Sequence, residues 1–400
     1  KNQNNIQKDL IIEVIMLKLD FNDNWLVYKK DNPKTAKTVT LPYDAMIYEE
    51  RTQESPGGKH IAWHMGCDYV YEKTFFAPED YDNKFIILEF EGVYKDAEVY
   101  INDTKLMYRP YGYTNFYVDI TQHLVLGQNN TLKVLVHNSD QPNSRWYSGS
   151  GIYRPVNMYV QPPKHIKING LKIRSLDYVI PTVEIIAKTN TPGQMLIQVL
   201  DGEKIIHSSA HKTNDNNQVK IIAKLPGAEL WDVDNPKLYT CKVNFEGGQY
   251  QTRFGIRIVE CDSRNGLCIN GKRTLLLGAC IHHDNGLLGA VAHPFAEYRK
   301  IKILKQAGYN AIRSAHNPCS KALLDACDEL GMMVLDEYVD MWYIHKNKYD
   351  YADKMLDWWK QDLKDMVDKD YNHPSVIMYS IGNEVAETGQ KQGIELCEKM

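Results

Sequence analysis

The period of the hydrophobic pattern changes once along this 400-residue chain, and that change limits what the chain can fold into. Up to about residue 254, apolar residues recur at every second position in short runs, as in Tyr69-Val70-Tyr71-Glu72-Lys73-Thr74-Phe75. A period of two places alternate side chains on opposite faces of a strand. From Thr274 onward, short apolar runs alternate with stretches of helical period. One uniform architecture cannot satisfy both patterns, so the chain must contain β-sandwich and α/β domains in sequence.

The β part divides further. Runs at Phe85–Phe90, Ala97–Ile101 and Leu132–Val136 are separated by turn residues such as Asn102-Asp103 and Gly127-Gln128-Asn129-Asn130. Spacing of this kind over residues 19–162 predicts a jelly-roll sandwich. Gln161-Pro162-Pro163-Lys164 marks a boundary. The runs Ile166–Ile173, Thr182–Ala187, Gln194–Leu200, Gln218–Ala223 and Leu238–Phe245 then predict a smaller immunoglobulin-like sandwich over 163–258. Residues 1–18 are expected to be a loose tail, because KNQNNIQKD is polar and the apolar run Leu10–Leu17 is broken by Glu13. That run has no small-residue cleavage site, so a signal peptide is not expected.

From residue 259 to 400 the order is strand, helix, strand, helix, strand, helix, strand. Thr274–Cys280 suits a buried strand, and Pro294 opens a helix over Phe295–Ala307. Asn310–Ser314 is a short strand. Ser320 caps a helix over Lys321–Leu330 that Gly331 ends. Met332–Leu335 and Val376–Ile381 are strands on either side of a helix over Asp353–Lys369. This is the rhythm of a parallel α/β layer, and no glycine-rich phosphate loop follows any of its strands. The expected fold is thus multidomain: a jelly roll, an immunoglobulin-like sandwich, then the first half of a TIM barrel.

Composition removes several classes of function. With 43% apolar and 24% charged residues and a formal net charge of −4, the chain lacks the basic footprint of a nucleic-acid or membrane-surface binder. The eight cysteines at 67, 241, 261, 268, 280, 319, 327 and 397 form no C-x-x-C pair, which argues against zinc ribbons. Reduced thiols and a cytoplasmic location are expected.

Titratable residues gather just after each strand of the third region. They are His282, His283 and Asp284, then Arg313, His316 and Asn317, then Asp336, Glu337, Asp340 and Trp342, then Asn383 and Glu384. In a parallel barrel these positions share the carboxyl-end face, where active sites form. Three chemistries could use them. His282, His283 and Asp340 could hold a metal, although adjacent histidines on a strand point to opposite sides. Ser314-x-His316 could pair a nucleophile with a base, but it lacks the G-x-S-x-G elbow. Two carboxylates could flank a glycosidic bond, with Glu337 and Glu384 as candidates. On position alone His283, Asp336, Glu337 and Trp342 join the expected substrate-binding set; no metal and no cofactor is expected.

Two segments carry a resemblance. Asn310-Ala311-Ile312-Arg313-Ser314-Ala315-His316-Asn317-Pro318, and the fifteen residues from Asp370 to Glu384 ending Ser380-Ile381-Gly382-Asn383-Glu384, resemble the two signatures of glycoside hydrolase family 2. Leu41-Pro42-Tyr43-Asp44, Trp146 to Arg154 and Phe254-Gly255-Ile256-Arg257 are similar to further family segments. The resemblance implies a retaining exo-β-glycosidase of the β-galactosidase or β-glucuronidase type, acting on a carbohydrate substrate, with no nucleic-acid or membrane partner and with a homo-oligomeric assembly expected. It makes Glu384 the general acid/base and Asn383 the partner of the sugar 2-hydroxyl, with Arg313 and His316 lining the pocket. In the family the nucleophile is a second glutamate on a later strand, so this chain resembles the amino-terminal part of a longer enzyme. The alternative is a non-catalytic carbohydrate-binding protein built from the same domains. Three positions depart from the family pattern: Tyr379 stands for a tryptophan, Asn317 for a tyrosine, and Arg145 for an aspartate that reaches the sugar. A cation at 145 leans toward a uronic acid, unless Arg145 is bridged within the jelly roll.

Overall fold

The computed structural model describes residues 17–400. The expected loose tail lies outside the described residues except for Leu17 and Lys18, which open a strand over Leu17–Asp20. That strand and Val156–Gln161, Phe85–Phe90 and Phe116–Asp119 form a four-stranded antiparallel sheet. It faces a six-stranded sheet in the order Asn32–Val39, Trp25–Lys29, Tyr69–Ala77, Gln128–Val136, Ala97–Ile101, Thr104–Arg109. Inward residues of both sheets, including Trp25, Tyr71, Leu88, Phe90, Val99 and Val134, make the core. Asn102 and Asp103, both left-handed at φ 45° and 66°, turn one strand into the next.

The second sandwich packs the sheet Ile166–Asp177, Thr182–Thr189, Gln218–Lys224 against the sheet Lys204–Lys212, Gln194–Asp201, Tyr239–Phe245, Gly248–Phe254. Its core holds Ile185, Ile197, Val199, Cys241, Val243 and Phe245. Two of these strands were not expected from the sequence. Lys204–Lys212 is an edge strand whose side chains all keep contact with solvent, so no apolar alternation marks it. Gly248–Phe254 is masked by exposed Gln251 and the polar residues beside it.

The third region opens with a small antiparallel sheet, Val259–Asp262, Gly266–Ile269 and Lys272–Arg273. Four parallel strands follow in order: β1 (Gly278–Ile281), β2 (Ala311–Ser314), β3 (Met333–Glu337) and β4 (Val376–Ser380). Helices α1 (Pro294–Gln306), α2 (Lys321–Leu330) and α3 (Ala352–Asp370) alternate with them, and α4 (Lys391–Lys399) follows β4. Ser320 caps α2 by accepting from the Leu323 N–H, and Gly331 ends it in the left-handed conformation at φ 69°. This is half the strand complement of a closed eight-stranded barrel.

The first apolar run departs from expectation. Leu275, Leu276 and Leu277 precede β1 instead of belonging to it, and they are 67%, 45% and 58% exposed. Among the described residues β1 has β2 on one side and no strand on the other. Among the same residues no helix is long and apolar enough to cross a membrane.

The jelly roll is fixed to the barrel by buried charge. Arg109 Nη2 donates at 2.7 Å to both Asp362 and Asp365 on α3. Arg154, 1% exposed, donates to the carbonyls of Tyr113, Pro318 and Cys319. Lys321 at the start of α2 pairs with the fully buried Glu89.

Candidate active site

Strand parity decides which residues face the carboxyl-end centre of the sheet. Asp336 and Glu337 are adjacent on β3, so their side chains leave opposite faces. Glu337 points inward. One of its oxygens accepts from Arg313 Nε at 2.9 Å, Arg313 Nη2 at 2.6 Å and Ser380 Oγ at 2.7 Å, and the other contacts His316 Nδ1 at 2.7 Å. Burial works against the Arg313 charge, but Glu337 outweighs it and raises the guanidinium pKa further.

Asp336 points outward under the helices. Its Oδ1 accepts from the N–H groups of Cys319 at 2.9 Å and Glu337 at 3.1 Å, and Oδ2 lies 3.7 Å from Lys369 Nζ. It is a structural carboxylate, and its expected contact with substrate is corrected. The same parity separates the histidines. His282 turns toward the centre, its ring 5.2 Å from Trp146 and 5.7 Å from His316. His283 turns toward the jelly roll, against Tyr113 and Tyr153, with Nε2 at 3.2 Å from the Ser148 carbonyl. Burial, helped by Arg154, pushes His283 down to about 3, so the ring is neutral. The site histidine just after β1 is therefore His282, not His283.

Trp342 is also corrected. It is 1% exposed and donates its Nε1–H to the Ile381 carbonyl at 2.8 Å. A side chain on Gly382 would meet that nitrogen at 2.8 Å, so Trp342 supports the turn leading to Glu384 without lining the pocket. Ser314 Oγ donates to the Asn317 carbonyl at 2.6 Å and does not pair with His316, which removes the nucleophile-and-base option.

Beyond β4 the chain places Asn383 and Glu384 side by side with unlike environments. Asn383, 6% exposed, sits between Arg313 Nη2, 3.0 Å from its Oδ1, and Asp340 Oδ1, 2.8 Å from its Nδ2. Guanidinium can only donate and carboxylate can only accept, so these neighbours fix which way the amide points. Glu384 holds a left-handed backbone at φ 47° and its side chain is 69% exposed. Its Oε2 lies 3.1 Å from Arg145 Nη1.

Arg145 arrives from the jelly roll, 195 positions before its main partner. Nε and Nη2 of its guanidinium grip the two oxygens of Asp340, the first at 2.9 Å. Asp340 is 2% exposed and also receives Lys346 Nζ at 3.1 Å. Burial alone would raise the Asp340 pKa; Arg145, Asn383 and Lys346 together overcome it and hold it low. Arg145 is thus bridged to the barrel, and the bridge within the jelly roll is not the one formed. The Nε–Nη2 edge of the guanidinium is taken by Asp340, so a sugar carboxylate could not be gripped from that edge.

Two members of the cluster carry no expectation from sequence. Trp146 lies between His282 and His316, 5.5 Å from the latter, and Lys346 bonds both the Asp340 and Asn383 carbonyls from the loop after β3. The aromatic next to Arg145 was a readable signal for Trp146; nothing in the sequence marks Lys346. The metal set does not assemble either, since Asp340 is saturated by nitrogen donors and His283 faces away. Among the described residues, the group bringing three ligand atoms within 4.8 Å is Asp325, Asp328 and His373. Its members are already paired, Asp328 with His373 and Ser375, and Asp325 with Arg253.

The jelly roll thus donates a loop residue, Arg145, to a parallel sheet that carries Asn383 and Glu384 beyond its fourth strand. The family models agree along nearly the whole chain: glycosyl hydrolases family 2, sugar binding domain, over 18–162; glycosyl hydrolases family 2 over 184–257; and glycosyl hydrolases family 2, TIM barrel domain, over 260–397. The chain belongs to glycosyl hydrolase family 2. It is 36% identical over 397 residues to the β-galactosidase BoGH2A of Bacteroides ovatus, covering 92% of this chain and 46% of that protein. It is 26% identical over 411 residues to a β-glucuronidase of Bacteroides fragilis, covering 92% and 56%. A crystal structure of a family 2 member from Bacteroides cellulosilyticus superposes with a TM-score of 0.89 at 32% identity, over 96% of this chain and 53% of that one. The chain spans about half the length of the curated relatives it matches.

Proposed function

We propose that this chain supplies the acid/base half of a retaining exo-β-glycosidase site that takes a terminal β-linked sugar. The observation that carries the reading is the pairing at the end of β4: an exposed Glu384 beside a nearly buried Asn383 whose amide is fixed by Arg313 and Asp340. Glu384 gives a proton to the glycosidic oxygen as the anomeric carbon–oxygen bond breaks, then takes a proton from the water that releases the sugar. Asn383 retains one free N–H, which bonds the 2-hydroxyl and strengthens as positive charge builds on the ring. Glu337 is fully buried and engaged by Arg313, His316 and Ser380, which supports a holding role for it in preference to that of nucleophile. The attacking carboxylate then belongs to later strands of the completed barrel. Relatives named β-galactosidase and β-glucuronidase support both sugars as substrates.

Glu384→Gln, made in the protein expressed from its complete reading frame, tests the assignment. Hydrolysis of a natural disaccharide should fall by several orders of magnitude. Dinitrophenyl glycosides, whose leaving group needs little protonation, should still load the enzyme, and azide should restore turnover. Near-normal activity on the disaccharide would remove Glu384 from the mechanism. A wild-type protein that binds sugars and hydrolyses none of a β-glycoside panel would instead be a carbohydrate-binding module.

A further inference from the structure

Arg145 holds its two carboxylate partners very unequally. Asp340 is 2% exposed and takes two nitrogens of the guanidinium, whereas Glu384 is 69% exposed and takes one at 3.1 Å. A bidentate pair with a buried carboxylate is strong and directional; a single contact to an exposed one contributes little. Lys346 and the Asn383 amide hold Asp340 from its other sides. The guanidinium is therefore the fixed element and the Glu384 side chain the movable one. Glu384 also stands on a left-handed backbone outside any strand or helix, so neither the sheet nor a helix fixes its rotamer.

The two halves of a retaining reaction ask opposite things of such a glutamate. The first needs a protonated carboxyl on the glycosidic oxygen. The second needs a carboxylate that receives a proton from water while the water oxygen bonds the anomeric carbon and the sugar–carboxylate ester bond breaks. A guanidinium can only donate, so a fixed one at hydrogen-bond distance orients an accepting carboxylate oxygen. We propose that Arg145, anchored on Asp340, is a positioning residue for the second half-reaction: it orients ionised Glu384 for water activation. This rests on the acid/base reading of Glu384. It also gives the jelly roll a part in one chemical step and not merely in binding.

The test uses the enzyme from the complete reading frame with a dinitrophenyl β-glycoside, whose leaving group needs little protonation, so that release of the sugar from the enzyme is expected to limit kcat. Arg145→Met should lower kcat about tenfold with a parallel fall in KM, so that kcat/KM drops less than threefold. Azide should restore most of the lost kcat, because an anionic nucleophile needs no base. Arg145→Lys, which keeps a cation but loses the two-point grip on Asp340, should fall between, and it decides the matter if the methionine variant folds poorly. Equal losses in kcat and kcat/KM, or losses that azide leaves unchanged, would overturn the proposal. Glu384→Gln run alongside separates the two ideas. If that variant shows azide rescue and the Arg145 variants do not, only the role of Arg145 fails; if neither does, the acid/base reading fails first.

Discussion

The two sandwiches flank the same half-barrel and hold it in different ways. The jelly roll reaches it with buried, hydrogen-bonded charge: Arg109 on Asp362 and Asp365, Lys321 on Glu89, Arg154 on loop carbonyls, and Arg145 on Asp340. The immunoglobulin-like sandwich reaches it through one half-buried pair, Lys172 on Asp368, and otherwise through backbone carbonyls and exposed pairs. Arg257 donates to Pro374 and Val376, Trp231 donates to Asp328, and Arg253 pairs with Asp325 and Glu329 at a surface where all three are more than 40% exposed. Buried charge pairs demand exact partners, whereas carbonyl contacts and surface pairs tolerate substitution. The sandwich that shapes the site is the one locked by the demanding kind.

The sharpest way to break this contrast is Arg109→Met. It leaves Asp362 and Asp365 buried against an apolar side chain, and removing one partner of a buried ion cluster costs about 3–5 kcal/mol. A urea-unfolding midpoint should fall accordingly; a loss no greater than that of Arg253→Ala would erase the distinction.

Lys321→Met should cost less, about 1.5–3 kcal/mol, the range for a hydrogen bond to a charged group. Glu89 would keep Asn115, Tyr117, Asn157 and Tyr159 as donors. Its effect should depend on pH. Burial alone would raise the Glu89 carboxyl, but Lys321, with Lys18 and Tyr159, holds it well below the usual range. A carboxyl depressed in the folded state adds stability above its unfolded value of about 4.3, and that stability is lost as pH falls toward the folded value. The gap between wild type and Lys321→Met should be full at pH 7 and should close as the solution is acidified below about pH 4. A gap that widened with acid would refute the assignment.

Arg253→Ala sets the lower end, with a change under about 1 kcal/mol that shrinks further in high salt. Thermal melts at two ionic strengths would show it.

Sequence pattern was enough for the order of the parallel strands and helices of the third region and failed on facing. Ser320 and Gly331 delimited α2 because a capping hydroxyl and a left-handed glycine act locally. Asp336 against Glu337, and His282 against His283, could not be separated, since adjacent positions carry the same signal and only the register of β1–β4 sets which faces the centre. Trp342 looked like a pocket aromatic because its burial under the β4 turn is a tertiary fact. The gathering of Glu384, Asn383, Arg313 and His316 at one end of the sheet was legible through two contiguous motifs. The Arg145–Asp340 bridge was not, because no local pattern joins positions 195 apart.

Asp44 gives this layout a consequence in time. Its carboxylate accepts from the Met46 and Ser150 N–H groups and the Tyr147 hydroxyl inside the jelly roll, and from the Ala290 N–H in the loop after β1. Ala290 leaves the ribosome 246 residues after Asp44, which at translation rates of about 5–20 residues per second is roughly 12–50 s later. Ser150 and Tyr147 follow Asp44 by little over 100 residues, so three of the four donors can assemble while the barrel is still unmade. The jelly roll can therefore finish folding with an acceptor already shaped, and the nascent barrel meets a template instead of a second unfolded chain.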